Sequence, residues 1–111
     1  MGIIFHITNR ADWAAAQAAG AYTADGLASE GFIHCSTAAQ VLATAERIFR
    51  GRRDLLLLSI DSARVKPEIR HENLEGGTQL FPHIYGALAL DAVIAVHDFP
   101  PREDGTFAMP F

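Results

Sequence analysis

The chain has one cysteine, Cys35. One thiol cannot close an intramolecular disulfide, so nothing points to an oxidising compartment. Basic residues are few: 9 Lys and Arg stand against 13 Asp and Glu, for a net charge of −4. That balance argues against wholesale nucleic-acid binding, which uses a basic face. No apolar run approaches the roughly 18 residues of a membrane span, and Leu55-Leu56-Leu57-Leu58 is only strand-sized. The N-terminus lacks a basic segment followed by a long apolar one, so no signal peptide is read there. Met1-Gly2 opens like a myristoylation site, but position 6 is His6 rather than Ser or Thr. The expectation is a cytoplasmic protein with no membrane partner. Repeats, linkers and low-complexity tracts are absent. So are the H-x-H and H-E-x-x-H spacings of metal sites and the G-x-S-x-G elbow of serine hydrolases. No metal is expected.

The 111 residues that are present are half apolar and one fifth charged. A chain of this length and composition makes one domain, residues 1–111, and buries enough surface to fold without metal or disulfide. Ile3 to Thr8 alternates like a strand, with His6 and Thr8 on one face. Asn9 followed by Asp12 is an acidic variant of the capping box, and Ala11 to Ala19 follows as a helix. Trp13 anchors that helix in the core, and Gly20 suits its C-terminal stop. Ala21 to Gly31 reads as a loop with a short excursion around Tyr22 to Leu27.

Glu30-Gly31-Phe32-Ile33-His34-Cys35-Ser36-Thr37 concentrates the unusual residues. Phe32 to Ser36 reads as a strand, with Phe32, His34 and Ser36 pointing one way and Ile33 and Cys35 the other. Thr37 with Gln40 is a capping-box pattern, which predicts a helix from about Ala38 to Arg50. Val41, Leu42, Ala45, Ile48 and Phe49 form its apolar stripe. The start of such a helix carries unpaired N–H groups and can hold an anion beside His34, Ser36 and Thr37. The basic cluster Arg47, Arg50, Arg52 and Arg53 is either a solvated helix end or a phosphate- or RNA-contacting patch.

Leu55 to Ile60 is an apolar run, as in a central strand buried on both faces. Ile69 to Asn73 predicts another strand, with Arg70 and Glu72 on one side and His71 on the other. Gly76-Gly77 makes a turn. In Phe81-Pro82-His83-Ile84-Tyr85-Gly86, residues 81, 83 and 85 alternate against Ile84. Pro82 lacks a donor, which favours an edge strand or a rigid loop. Leu88 to Ala92 is a turn or a single helical turn. Val93 to Phe99 is the last strand, and from about residue 100 an extended tail lies against the body. The whole reads as an α+β domain with helices early and strands late.

The candidate site residues fall in three groups. His6 and Thr8 share a strand face, and His6 is either a site residue or a core-edge histidine bonded to a carbonyl. His34, Ser36 and Thr37 cluster at the strand–helix junction, where capping and ligand binding are compatible. Glu72, His83 and Tyr85 come from the later strands. For Glu72 the bland alternative is an ion pair, and for His83 and Tyr85 an edge strand covered by the tail. Cys35 points away from His34 and reads as a buried small hydrophobe. His71 and His97 read as ordinary surface or core histidines.

His6-Ile7-Thr8, the Trp13 helix, the run from Glu30 to Ser36, Ile60-Asp61, Glu72 and the run from Phe81 to Gly86 together resemble the bacterial domain-of-unknown-function 952 family. The likeness covers nearly the whole chain. It implies an ADP-ribosyltransferase-like split β-sheet with two N-terminal helices, a fold group whose catalytic members bind NAD in a cleft between the two halves. On that resemblance His6, Ser36 and Glu72 match the three site positions of such enzymes; with His34 added from the junction cluster, His6, His34 and Glu72 are the catalytic candidates. Thr8, Ser36, Thr37, His83 and Tyr85 are the ligand-binding ones. The partner it implies is NAD as substrate, ADP-ribose, or another nucleotide-like anion. The toxin-type Glu-x-Glu and Gln-x-Glu motifs are absent, and the four basic residues of RNA 2′-phosphotransferases are not reproduced. The resemblance therefore leaves two classes open: an ADP-ribose-linked transferase, and a binding or interaction module that has kept the fold.

Overall fold

The computed structural model describes residues 2–73 and 77–111. Its central strand is β4 (Leu55–Asp61), buried from Leu55 to Ile60 as the apolar run predicts. β1 (Ile3–Asn9) and β8 (Val93–Asp98) pair with it on either side, both antiparallel. Strand alternation sends β4 side chains to both faces of this sheet. Leu58 and Ile60 join Ile4, Tyr22 and Leu88 in one core cluster. Leu55 and Leu57 join Phe5, Ile7, Val41, Phe99 and Phe107 in another.

A second sheet has the order β3-β6-β5, from Ile33–His34, Phe81–Ile84 and Ile69–Glu72. A small ladder joins β2 (Ala21–Tyr22) to β7 (Leu88–Ala89). Among the described residues the two larger sheets meet at a bridge between Phe5 and Ser36, which exchange backbone bonds of 2.8 Å in each direction. Past that bridge the strands part. β1 stays with β4, β3 goes with β6, and a gap opens between the sheets.

The first helix, α1 (Arg10–Ala19), is capped as its sequence predicts. The Asn9 side chain accepts from the Asp12 amide at 2.8 Å, and Gly20 closes the helix at φ 86°. Trp13 is half-buried against the first core.

Other elements correct the sequence reading. The loop expected over Ala21 to Gly31 holds β2 and a helix, α2 (Asp25–Glu30). The described residues thus contain three α-helices rather than two early ones. At six residues α2 is below the length at which propensity alone holds a helix; Leu27 packs it onto the core. The strand predicted over Phe32 to Ser36 is reduced to β3 and the bridge at Ser36.

The third helix, α3, is Val41–Ile48, shorter than the predicted span. Its capping box is half made. The Gln40 side chain accepts from the Thr37 amide at 3.1 Å, but Gln40 itself holds the N-cap position without a side-chain cap. The Gln40 amide nitrogen is drawn to the Leu80 carbonyl at 2.8 Å instead.

β6 is a central strand, not an edge strand or loop. Pro82 is tolerated because it sits where β3 leaves. Its carbonyl accepts from Cys35 at 2.9 Å, and its missing N–H falls where the ladder ends. Leu88 to Ala92 is strand β7 followed by one 3₁₀ turn, Leu90–Ala92. β8 and the extended tail follow the sequence reading, with Phe107 buried against Phe99 at 4.9 Å between ring centroids. Gly76, part of the expected turn, lies outside the described residues. Among the described residues no helix is long and apolar enough to cross a membrane.

Candidate functional site

Hydrogen-bond directions along β1 locate the site. An antiparallel strand aims the N–H and C=O of alternate residues to the same side. Phe5 gives both groups to Ser36, so Ile7 aims both into the gap beyond the bridge. Among the described residues neither Ile7 group has a partner. The His34 carbonyl, which a continued ladder would offer to the Ile7 amide, accepts from His6 Nδ1 at 2.5 Å instead.

His6 is buried, and that burial pushes its pKa down to about 4 against the opposing effect of the His34 carbonyl. The ring is therefore neutral near pH 7. A carbonyl can only accept, so the proton is on Nδ1 and Nε2 carries the lone pair. Tyr22, from β2, places its hydroxyl 2.8 Å from that Nε2 and 2.9 Å from Thr8 Oγ1. Its one proton goes to the bare nitrogen, and Thr8 then donates to the Tyr22 oxygen. The three side chains form a directed chain along the β1 wall.

The opposite wall comes from the second sheet. Strand alternation puts Arg70 and Glu72 of β5 on one face. Glu72 Oε1 accepts from His83 Nδ1 at 3.1 Å and from the Tyr85 hydroxyl. Those two donors, Tyr85 first, hold the Glu72 carboxyl below the usual carboxylate range. The same bond pushes the Tyr85 phenol above its ordinary value. Arg70 lies 4.4 Å over the Tyr85 ring. Phe32 stacks on His83 at 4.3 Å and meets His34 edge-on at 4.7 Å. His34 also reaches Glu30, the last residue of α2, at 3.1 Å.

Between these walls is a cavity of about 360 Å³. Of the residues singled out from sequence, His6, Thr8, His34, Ser36, Glu72 and His83 line it. Thr37 and Tyr85 do not. Thr37 lies before the late start of α3, with its amide taken by Gln40, so the helix start is not an anion site facing this space. Tyr85 stands behind Glu72 and fixes that carboxylate in place. Cys35 lines the cavity but is buried, and burial alone raises its thiol pKa far beyond the ordinary range. It behaves as a small hydrophobe, as expected.

The sequence reading missed several lining groups: Tyr22, Thr44, Phe81 and the backbone edge at Ile7. Thr44 and Arg47 are three apart on α3, a spacing that puts them on one face. That signal was there to be read. Two members of the basic cluster, Arg47 and Arg52, also reach the cavity, and Arg52 pairs with Asp54 at 2.8 Å. Arg50 turns away to the Asp104 carbonyl. His71 is exposed, and His97 bonds the Ser59 hydroxyl at 3.1 Å. Among the described residues no three His, Cys, Asp or Glu side chains converge as a metal-ligand set.

The crystal structure of protein CC0527 from Caulobacter crescentus is similar to this chain. It is 32% identical, with a TM-score of 0.87 over 96% of this chain and 94% of that one. The solution NMR structure of CC0527 is 34% identical, with a TM-score of 0.82 over 96% and 91% of the two chains. No curated protein matches the chain. The model of the proteins of unknown function DUF952 matches residues 7–96, from the open edge at Ile7 through Glu72 and His83 into β8, and the chain belongs to that family.

Proposed function

We propose that the cavity binds a nucleotide-like anion of the NAD or ADP-ribose class and that Glu72 assists departure of the base from the ribose. The observation that carries this reading is the state of Glu72. It is an ionised carboxylate on the cavity wall whose two described bonds both fall on Oε1. Oε2 is left for a ligand. Loss of a base from a ribosyl carbon builds positive charge at that carbon, and a fixed anion beside it lowers the barrier.

The remaining features fit the same ligand. Ile7 offers a backbone donor and acceptor side by side, the complement of a carboxamide such as that of nicotinamide. Tyr22 and Phe81 provide aromatic surface. Arg47 and Arg52 supply cationic groups for a diphosphate. The cavity is at the small end of the roughly 300–1,000 Å³ usual for small-molecule sites. It suits the nicotinamide-ribose half of a dinucleotide, with the diphosphate at the arginines. An ADP-ribosyltransferase-like split sheet is the fold reading that accompanies this function, in a single cytoplasmic domain.

The test is an NMR titration of the labelled protein with NAD, NADP, ADP-ribose and inorganic phosphate. Saturable shifts of the Ile7 amide and the His6 and His34 rings with NAD or ADP-ribose are expected. Nicotinamide release by the wild type, lost in Glu72→Gln, is expected alongside. Binding without release in either protein identifies a non-catalytic ligand module instead. No shifts at millimolar nucleotide overturn the assignment of the ligand class.

A further inference from the structure

We infer that His83 is the general base of this site, and that the acceptor it activates is water, so that the ribosyl bond is hydrolysed rather than passed to a macromolecule. This rests on the reading of the cavity as an ADP-ribose-linked site.

Three observations support it. Glu72 and His83 form a carboxylate–imidazole pair in the geometry of a base held by its orienter. The carboxylate fixes the proton on Nδ1, which leaves the Nε2 lone pair outward. The ring itself is locked. It is 3% exposed and lies on the Phe32 ring at 4.3 Å, 20° from parallel. Finally, Nε2 has an outlet. His83 lines the cavity, and Nε2 has no bonding partner among the described residues. Among those residues no fully buried polar side-chain atom lacks a partner, so Nε2 is not sealed in protein.

The burial of His83 sets the kind of acceptor. A base inside a cavity of about 360 Å³, already shared with the ribosyl group, has room for a molecule the size of water. A ring that is 3% exposed favours water over a side chain of a folded protein as the acceptor. In the step, the water oxygen bonds to the ribosyl C1′, and the C1′–N bond breaks with its electron pair going to nicotinamide. The water proton passes to His83 Nε2 and then to solvent. The products are nicotinamide, ADP-ribose and one proton. The two oxygens of Glu72 divide the work. Oε1 orients His83, and Oε2 faces the carbon that gains charge.

The experiment uses the full chain with radiolabelled NAD. It follows nicotinamide, free ADP-ribose and protein-bound label, with ADP-ribose affinity measured separately. Free ADP-ribose equal to nicotinamide is expected, with no label on protein. His83→Gln is expected to lose at least about 100-fold in kcat while keeping ADP-ribose affinity within about threefold, and added imidazole to restore part of the rate in His83→Gly. Should either variant not fold, ¹⁵N shifts of the wild-type ring decide the matter: Nδ1–H with a bare Nε2 that moves on ADP-ribose binding is expected, and the Nε2–H tautomer overturns the assignment. A His83→Gln rate close to wild type beside an inactive Glu72→Gln overturns the base and leaves the ligand reading standing. Label on protein overturns the acceptor. Neither binding nor release by the wild type removes the ligand reading, and this inference with it.

Discussion

The His6 imidazole occupies the place on the His34 carbonyl that the Ile7 amide would hold in a continuous sheet, with Nδ1 and the carbonyl oxygen 2.5 Å apart. One side chain therefore does two things. It ties the two sheets together just past the Phe5–Ser36 bridge, and it keeps the β1 edge open at Ile7. The cavity exists because the ladder is joined by a ring there rather than by backbone.

This arrangement makes stability depend on pH. The His6 pKa is about 4 in the folded chain and 6.5 at its ordinary value. Below 6.5 the unfolded chain gains a proton that the folded chain refuses. The contribution is thus complete above pH 6.5 and is lost as pH falls through about 4. A shift of this size corresponds to roughly 3 kcal/mol at the acid end. Urea denaturation of the wild type and His6→Gln between pH 7 and 4 measures it. The wild type should lose the extra stability across that window and the variant should not. Parallel curves would show that His6 is not the group that refuses the proton.

Tyr22 completes the same chain from the far side. Replacing it by Phe keeps the ring in the core and removes the hydroxyl. His6 Nε2 and the Thr8 hydroxyl then lose a partner in a buried setting. Leaving buried polar groups unsatisfied costs about 1–3 kcal/mol. The Tyr22→Phe denaturation midpoint should fall accordingly, with an unchanged slope. A midpoint equal to wild type would mean that the hydroxyl is not part of the chain described.

What could be read from the sequence follows from period. His6 and Thr8 fall on one side of β1, Glu72 sits beside Arg70 on β5, and the expected alternation in the run from Phe81 turns His83 into the cavity. Each is a period-2 statement, and each places its residue. The Tyr22 contribution was hidden because β2 is only two residues long and pairs with β7, far along the chain. Ile7 was hidden for a stronger reason: its contribution is backbone, and no residue type announces an unpaired amide. Thr37 was misplaced because a capping-box pattern does not reveal which half will form when Gln40 is drawn to Leu80. Pro82 misled in the opposite sense, since a proline fits a central strand where the neighbouring ladder stops.

Gly86 is required for a reason that composition does not show. A Cβ at this position would lie 2.8 Å from both Cβ and Cγ of Pro67. The proline ring cannot rotate away, so the strain must move backbone. Such overpacking costs about 1–3 kcal/mol. Gly86→Ala should lower the melting temperature and disturb the adjacent Tyr85, whose amide bonds the Glu68 carbonyl at 2.8 Å. Pro67→Gly combined with Gly86→Ala, which takes away both contacted atoms, should recover part of the loss. Failure of that pair to recover anything would place the strain elsewhere.

Tyr85 offers a direct reading of the charge on Glu72. The phenol pKa is raised chiefly because its proton is held by that carboxylate. Ionising Tyr85 gives up the bond and sets two negative charges side by side, while Arg70 over the ring offsets only part of the penalty. A neutral amide at position 72 removes the charge repulsion. In Glu72→Gln the Tyr85 phenol should therefore titrate at lower pH than in the wild type, towards its ordinary value of 10. Ring-carbon NMR shifts followed through alkaline pH separate Tyr85 from Tyr22, and the Tyr22 curve serves as the internal control. Arg70→Ala should move Tyr85 the other way, because it takes a cation from the phenolate and leaves the carboxylate in place. Opposite movements in the two variants identify Glu72 as an anion held by a neutral tyrosine. Equal or absent movements would mean that the proton is not shared as the geometry has it, and the ionised Glu72 on which the ligand reading depends would lose its support.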